Sequence, residues 1–293
     1  MSAPPSAPAG QQNVPLAALW MGGVLTSFLL MAVAVREASA GLSAIDLLFY
    51  RSLVALLIVV TLAGASKGGL GLLRTRRPGA QALRNVCLFV GQFGWIYAIA
   101  AIPLAQVFAI EFTTPLWVGL LAPLVLGEKL TGRRLIALLL GFLGILAVVR
   151  PGMVALSPGV LAILIGAIGF ALGAIMTKRL TTTERPITVL FYMSLVQALI
   201  SAPPSLLDPV VPDATTALWV VAVALAGLSA HYCLVRALTL ADAMTVAPMD
   251  FLRLPLVMVL AALLYGEALD PWILLGGGLI LAGNYISLRE RRG

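Results

Sequence analysis

Residues 49–54 read Phe-Tyr-Arg-Ser-Leu-Val, and residues 191–196 read Phe-Tyr-Met-Ser-Leu-Val, the same phrase 142 positions later. The correspondence spreads outward from there. At the same shift Phe28 lies over Phe170 and Arg36 over Lys178. Further on the shift becomes 139: Gln92 meets His231, Glu111-Phe112 meets Asp250-Phe251, Gly127-Glu128 meets Gly266-Glu267, and Gly144 meets Gly283. One module is written twice. Each copy holds five apolar runs, and an odd number forces the second copy to cross a membrane upside down relative to the first. Inverted duplicates of this kind are how many secondary transporters are built, with the substrate held near the midplane between the copies.

Composition fixes the class. Apolar residues make up 61% of the 293 positions and charged residues 11%, with a mean hydropathy of +1.04. A soluble domain could not cover that apolar surface with so few charges. The unit of organisation is therefore the span of about 20 apolar residues. Ten runs are expected, near 14–35, 44–64, 83–101, 104–126, 134–149, 158–177, 186–202, 215–237, 243–265 and 271–288. Spans three and four meet at Ala101–Leu104, and spans eight and nine near Thr239–Asp242. Connections this short make helical hairpins at equivalent places in the two copies.

The net charge of +7 would suggest nucleic acid in a soluble chain, but here the cations sit in the connections. Fifteen Lys and Arg fall on the side of the N-terminus and only Arg36 and Arg150 on the other, with Arg51 and Arg253 inside spans. The positive-inside bias then puts both termini in the cytoplasm. Residues 1–13, rich in Pro, Ala and Ser, read as a disordered tail without the basic start of a signal peptide. Residues 14–150 and 157–288 form the two repeats, and 289–293 a basic cytoplasmic tail. Cys87 and Cys233 lie in apolar runs and read as free thiols.

These features resemble the drug/metabolite transporter superfamily, in its ten-helix branch of two EamA-type domains. The likeness rests on Pro115-Leu116 followed by Gly127-Glu128, echoed by Pro255-Leu256 followed by Gly266-Glu267, each running into a glycine-rich span. Pro115 and Pro255 are out of register by one residue. The resemblance implies efflux or exchange of small organic metabolites across the bacterial inner membrane. It places amino-acid exporters nearest, including aromatic amino-acid exporters of the YddG type.

Ionisable groups inside a membrane are costly, about 2.5–3.5 kcal/mol each by insertion scales, so each is a candidate for function. Glu111 and Asp250 occupy equivalent places in spans four and nine, where they can bind an ammonium group, carry a proton, or tie helices together through hydrogen bonds. Arg253, three residues beyond Asp250, can neutralise it on one helix face. Arg51 is expected to snorkel or to pair with Asp46. Gln92 and His231 form a second matched pair, with Trp95 and Tyr232 supplying aromatic surface. The expected substrate-binding set, guided in part by the resemblance, is Ser27, Gln92, Trp95, Glu111, Phe170, His231, Tyr232 and Asp250. Pro115 and Pro255 are the expected hinges, since proline removes a helix hydrogen bond.

No catalytic residues, cofactor or metal are expected. Ser229 and His231 are two apart and so lie on different helix faces, and His231 is the only histidine. The expected partners are a small amphipathic metabolite, lipid, and protons as the coupling ion, with no nucleic acid; the chain is expected as a monomer or weak dimer. The competing readings are a channel and a non-transporting receptor or structural membrane protein. Broken helices in an inverted repeat favour alternating access over an open pore.

Overall fold

A computed structural model describes residues 13–126, 132–150, 156–180, 184–241, 243–268 and 270–290. The first copy contains α1 (Val14–Ala38), α2 (Ala44–Ala65), α3 (Pro78–Ala101), α4 (Leu104–Glu111), α5 (Thr114–Leu126) and α6 (Gly132–Val149). The second contains α7 (Pro158–Leu180), α8 (Pro186–Leu207), α9 (Ala214–Leu240), α10 (Ala243–Asp250), α11 (Arg253–Tyr265) and α12 (Pro271–Glu290). The fourth and ninth spans are each two helices in series, so the twelve helices make ten crossings. Seven are long and apolar enough to cross a membrane by length and composition, and α6, α11 and α12 contribute shorter apolar stretches.

The packing pairs show the inversion. The first span of each copy lies along the third span of the other: α1 along α9, and α3 along α7. The second spans pair with each other, α2 on α8, and so do the fifth, α6 on α12. The glycines allow these approaches. A Cβ on Gly94 of α3 would sit 2.2 Å from the Ala162 carbonyl oxygen of α7. A Cβ on Gly144 would sit 2.6 Å from the Gly276 oxygen, and the symmetry-related contact sets Gly283 2.7 Å from the Ala137 oxygen. Without a hydrophobic drive between helices in lipid, such close backbone packing is the main source of association.

Local signals account for the ends. Asn13 caps α1 by accepting from the Leu16 N–H (3.2 Å). Ser43 caps α2, and Asp213 caps α9 by accepting from the Thr216 N–H at 2.8 Å. Gly266 ends α11 in the left-handed region, φ 64°, where glycine carries no Cβ penalty. Several helices outrun their expected limits, most of all α3, which starts at Pro78, and α8, which continues through Pro203 and Pro204 to Leu207. Most of the expected C-terminal tail and the Gly127-Glu128 motif lie outside the described residues.

Two faces can be named by their segments. One carries Asn13, residues 66–77 and the end of α12. The other carries residues 39–43, 102–103 and 266–268. On this second face Arg36 donates to Glu267 (3.0 Å) and to the Ile102 carbonyl (2.9 Å). Glu267 also accepts from the Leu104 N–H at 2.9 Å, capping α4, while Arg36 lies 5.2 Å over the Tyr265 ring. Arg150 pairs with Asp270 on the same face. These contacts tie the ends of α1, α3, α4, α6, α11 and α12 together on this face.

Candidate substrate site

The two breaks set the site. α4 stops at Glu111 and α5 starts at Thr114; α10 stops at Asp250 and α11 starts at Arg253. Pro115 and Pro255 sit in the first turn of the helix after each break, where a missing N–H costs nothing. The interruption itself is at Phe112-Thr113 and Phe251-Leu252, just ahead of the prolines. Exposed backbone is not tolerated in hydrocarbon. At the first break the Phe112 carbonyl accepts from Asn284 Nδ2 of α12 (2.8 Å) and Thr113 Oγ1 donates to the Ile110 carbonyl (2.6 Å).

The matched residues converge on a pseudo-two-fold axis. Phe112 and Phe251 meet edge to face, centroids 6.2 Å apart. Beside them Arg253 bridges the two acids: its guanidinium is 3.3 Å from Glu111 Oε1 and 3.3 Å from Asp250 Oδ2. Trp95 Nε1 donates to the other Glu111 oxygen at 2.7 Å. The Arg253 side chain is 6% exposed, Glu111 15% and Asp250 30%. Aromatic rings surround the cation, with Phe28 at 4.3 Å, Phe112 at 4.7 Å and Phe108 at 5.4 Å from the guanidinium carbon. A buried charge persists only when paired, and here one cation faces two carboxylates. Asp250 Oδ1 is buried and lacks a hydrogen-bond partner among the described residues. The site thus offers a planar donor fork, stacking surfaces and an uncommitted acceptor.

Of the expected set, Trp95, Glu111 and Asp250 come together here. Arg253 joins both acids, a role that its spacing to Asp250 alone did not reveal. Ser27 donates to Ser229 across α1 and α9 (3.0 Å). Phe170 packs where Gly91 leaves room for its ring. Gln92 accepts from Arg51, which also donates to Gln197 at 2.8 Å. Arg51 therefore does not use Asp46, whose carboxylate stays with Ser43 at the start of α2. His231 is exposed and its Nδ1 is 2.8 Å from the Gly227 carbonyl of its own helix. Tyr232, 60% exposed, meets Trp20 edge to face. Neither contacts the Arg253 cluster. Among the described residues no group of three or more His, Cys, Asp or Glu is placed to hold a metal ion.

Comparison with known proteins agrees with this architecture. The model of the EamA-like transporter family matches twice, over residues 15–150 and 157–289. The chain belongs to the EamA-like transporter family. It is a multi-pass membrane transporter of small metabolites and not an enzyme. A riboflavin transporter of Rhizobium johnstonii is 32% identical over 269 residues, 91% of this chain and 86% of the relative. An S-adenosylmethionine uptake transporter of Rickettsia prowazekii is 27% identical over 245 residues, 83% and 81% of the two chains. A pseudopaline exporter of Pseudomonas aeruginosa is 30% identical over 275 residues, 91% and 94%. A solved crystal structure at 20% identity superposes with a TM-score of 0.64 over 94% of this chain and 98% of that one, which shows the fold.

Proposed function

We infer that this transporter carries a planar, nitrogen-rich aromatic metabolite of the riboflavin or S-adenosylmethionine kind, by alternating access, across a bacterial inner membrane. The observation that carries this reading is the Arg253 guanidinium held between two carboxylates and three phenylalanine rings. Such a site stacks a flat ring and hydrogen-bonds its polar edge, the pattern of small-ligand sites with a few placed polar groups on an apolar wall. Relatives named for riboflavin and S-adenosylmethionine support the substrate class. Relatives named for uptake and for export leave both directions represented, so direction belongs to the test.

A second reading, export of aromatic amino acids as in the YddG type, has one specific support. Asp250 Oδ1, free of hydrogen bonds among the described residues, can take an ammonium group beside a guanidinium that takes a carboxylate. In either case both termini are assigned to the cytoplasm, a proton gradient is the assigned energy source, and Pro115 and Pro255 are the assigned hinges.

Purified protein in liposomes, given radiolabelled riboflavin, S-adenosylmethionine, tryptophan and phenylalanine with and without a pH gradient, separates the readings. Saturable movement of riboflavin or S-adenosylmethionine supports the first. Movement of the amino acids alone supports the second and overturns the first.

A further inference from the structure

The face of α3 that presents Trp95 to Glu111 does not end there. Helix geometry places Gln81, Asn85, Leu88, Gln92 and Trp95 one above another, at steps of three and four residues. With 1.5 Å per residue this row is about 21 Å long, from the first turn of α3 to the Arg253 cluster. Three of its five members carry amides. Gln81 and Asn85 are fully buried. Both side-chain heteroatoms of Gln81 and the Asn85 Nδ2 lack a hydrogen-bond partner among the described residues, while the Asn85 Oδ1 accepts from Arg84 at 2.8 Å. Gln197, also fully buried, bonds Arg51 through its oxygen and leaves its Nε2 without one.

The fold does not ask for these groups. The positions equivalent to Gln81 and Asn85 in the inverted copy are Val220 and Ala224, buried on α9. The same helix in the same packing therefore accepts apolar side chains at these two positions. Arg51 and Gln197 are asymmetric too, standing opposite Met193 and Ala55 in the repeat. Amides left unbonded in a membrane interior are costly unless water or a solute reaches them. The α9 positions Val220 and Ala224 lead toward the face that Arg36, Glu267, Arg150 and Asp270 tie together; Gln81 and Asn85 lead toward the other.

We propose that this face of α3 is the wall of a hydrated passage joining the Arg253 site to the membrane face that bears Arg76, and that Gln81, Asn85 and the Arg51–Gln92–Gln197 cluster are its binding groups. The solute it takes is one whose edge carries carbonyl, amide or carboxylate groups, which amides and a guanidinium can read in passing. This deepens the transport reading and rests on it for the identity of the solute, but the water in the passage does not.

Two measurements test it. In a Cys87→Ala, Cys233→Ala background, single cysteines at Gln81, Asn85, Val220 and Ala224 are exposed to a membrane-impermeant cationic thiol reagent from each side, with Arg76→Cys marking the side. Gln81→Cys and Asn85→Cys are expected to react about tenfold faster than Val220→Cys and Ala224→Cys, and from the Arg76 side, because only a wet thiol ionises and meets the reagent. Equal, slow rates at all four would overturn the passage whatever the substrate is. Second, Gln81→Leu should keep or raise the melting temperature, since an unbonded buried amide adds nothing to the fold, while transport of whichever panel solute moves falls severalfold. A fall in melting temperature with unchanged transport would make the row a structural element and contradict the proposal.

Discussion

Phe112 and Phe251, the same residue of two inverted copies 139 positions apart, touch each other edge to face at the centre of the protein. The axis relating the copies therefore runs through the two helix breaks. Glu111 and Asp250 flank it, and Arg253 spans from one acid to the other. The arrangement is symmetric in backbone and asymmetric in charge, because the repeat position opposite Arg253 is Thr114.

Arg253 should dominate stability. Arg253→Ala leaves two acids against each other with their cation gone. Breaking a buried pair in this way costs about 3–5 kcal/mol. Arg253→Met combined with Glu111→Gln and Asp250→Asn removes all three charges together and is expected to recover most of that loss. Thermal unfolding in detergent checks both; a triple variant as unstable as the single one would show that the ion cluster is not the source.

The face tied by Arg36 should loosen when that clasp is cut. Arg36 is the only described link from α1 to both the Ile102 carbonyl and Glu267. A hydrogen bond to a charged group contributes about 1.5–3 kcal/mol. Arg36→Ala is thus expected to raise amide exchange across residues 101–106 by roughly tenfold or more, while exchange in α2 stays put. Unchanged protection at 101–106 would mean that Arg150 and Asp270 hold this face alone.

Close packing gives a contrasted pair. Gly94→Ala drives a methyl group into the backbone of α7, where Ala162 cannot withdraw. Overpacking of this kind costs about 1–3 kcal/mol. Gly278→Ala meets nothing within 4 Å and is expected to be neutral or mildly stabilising. Melting temperatures of the two variants decide; equal shifts would place the α3–α7 contact elsewhere.

The prolines should act on rate. Each lies in the first turn of the helix following a break, so replacing it lets the two half-helices run together. Pro115→Ala and Pro255→Ala are expected to slow maximal transport severalfold, with apparent affinity little changed, since neither removes a binding group. Unchanged maximal rates in both would remove the proline hinges and leave rocking of whole bundles.

Much of this was legible in the sequence, for physical reasons. The bilayer imposes a span length, so ten apolar runs and their doubling were visible without coordinates. The acids stood out because charge in a membrane is rare. Arg253 was seen beside Asp250, three residues away on one helix, but its second partner, Glu111, lies 142 positions earlier and only packing brings it near. The match of Gln92 with His231 is one of position and not of partner. Gln92 meets Arg51, whose counterpart is Met193, so His231 has no such cation to face and bonds its own helix instead. The repeat preserves positions, not partners. Gln81 and Asn85 carry no signal in the sequence, where amides near a helix start are ordinary; only their burial sets them apart.

The most direct test of the central claim compares wild-type protein with the charge-free triple variant Arg253→Met, Glu111→Gln, Asp250→Asn in the same liposomes. The account predicts saturable transport of a labelled panel metabolite by wild-type protein, and its loss by tenfold or more in a triple variant that still melts near the wild-type temperature, as for removal of charge-assisted contacts worth at least about 1.4 kcal/mol in the bound state. A folded triple variant that transports the same metabolite at the wild-type rate would contradict it, and would leave the Glu111–Arg253–Asp250 cluster a structural tie between the two copies.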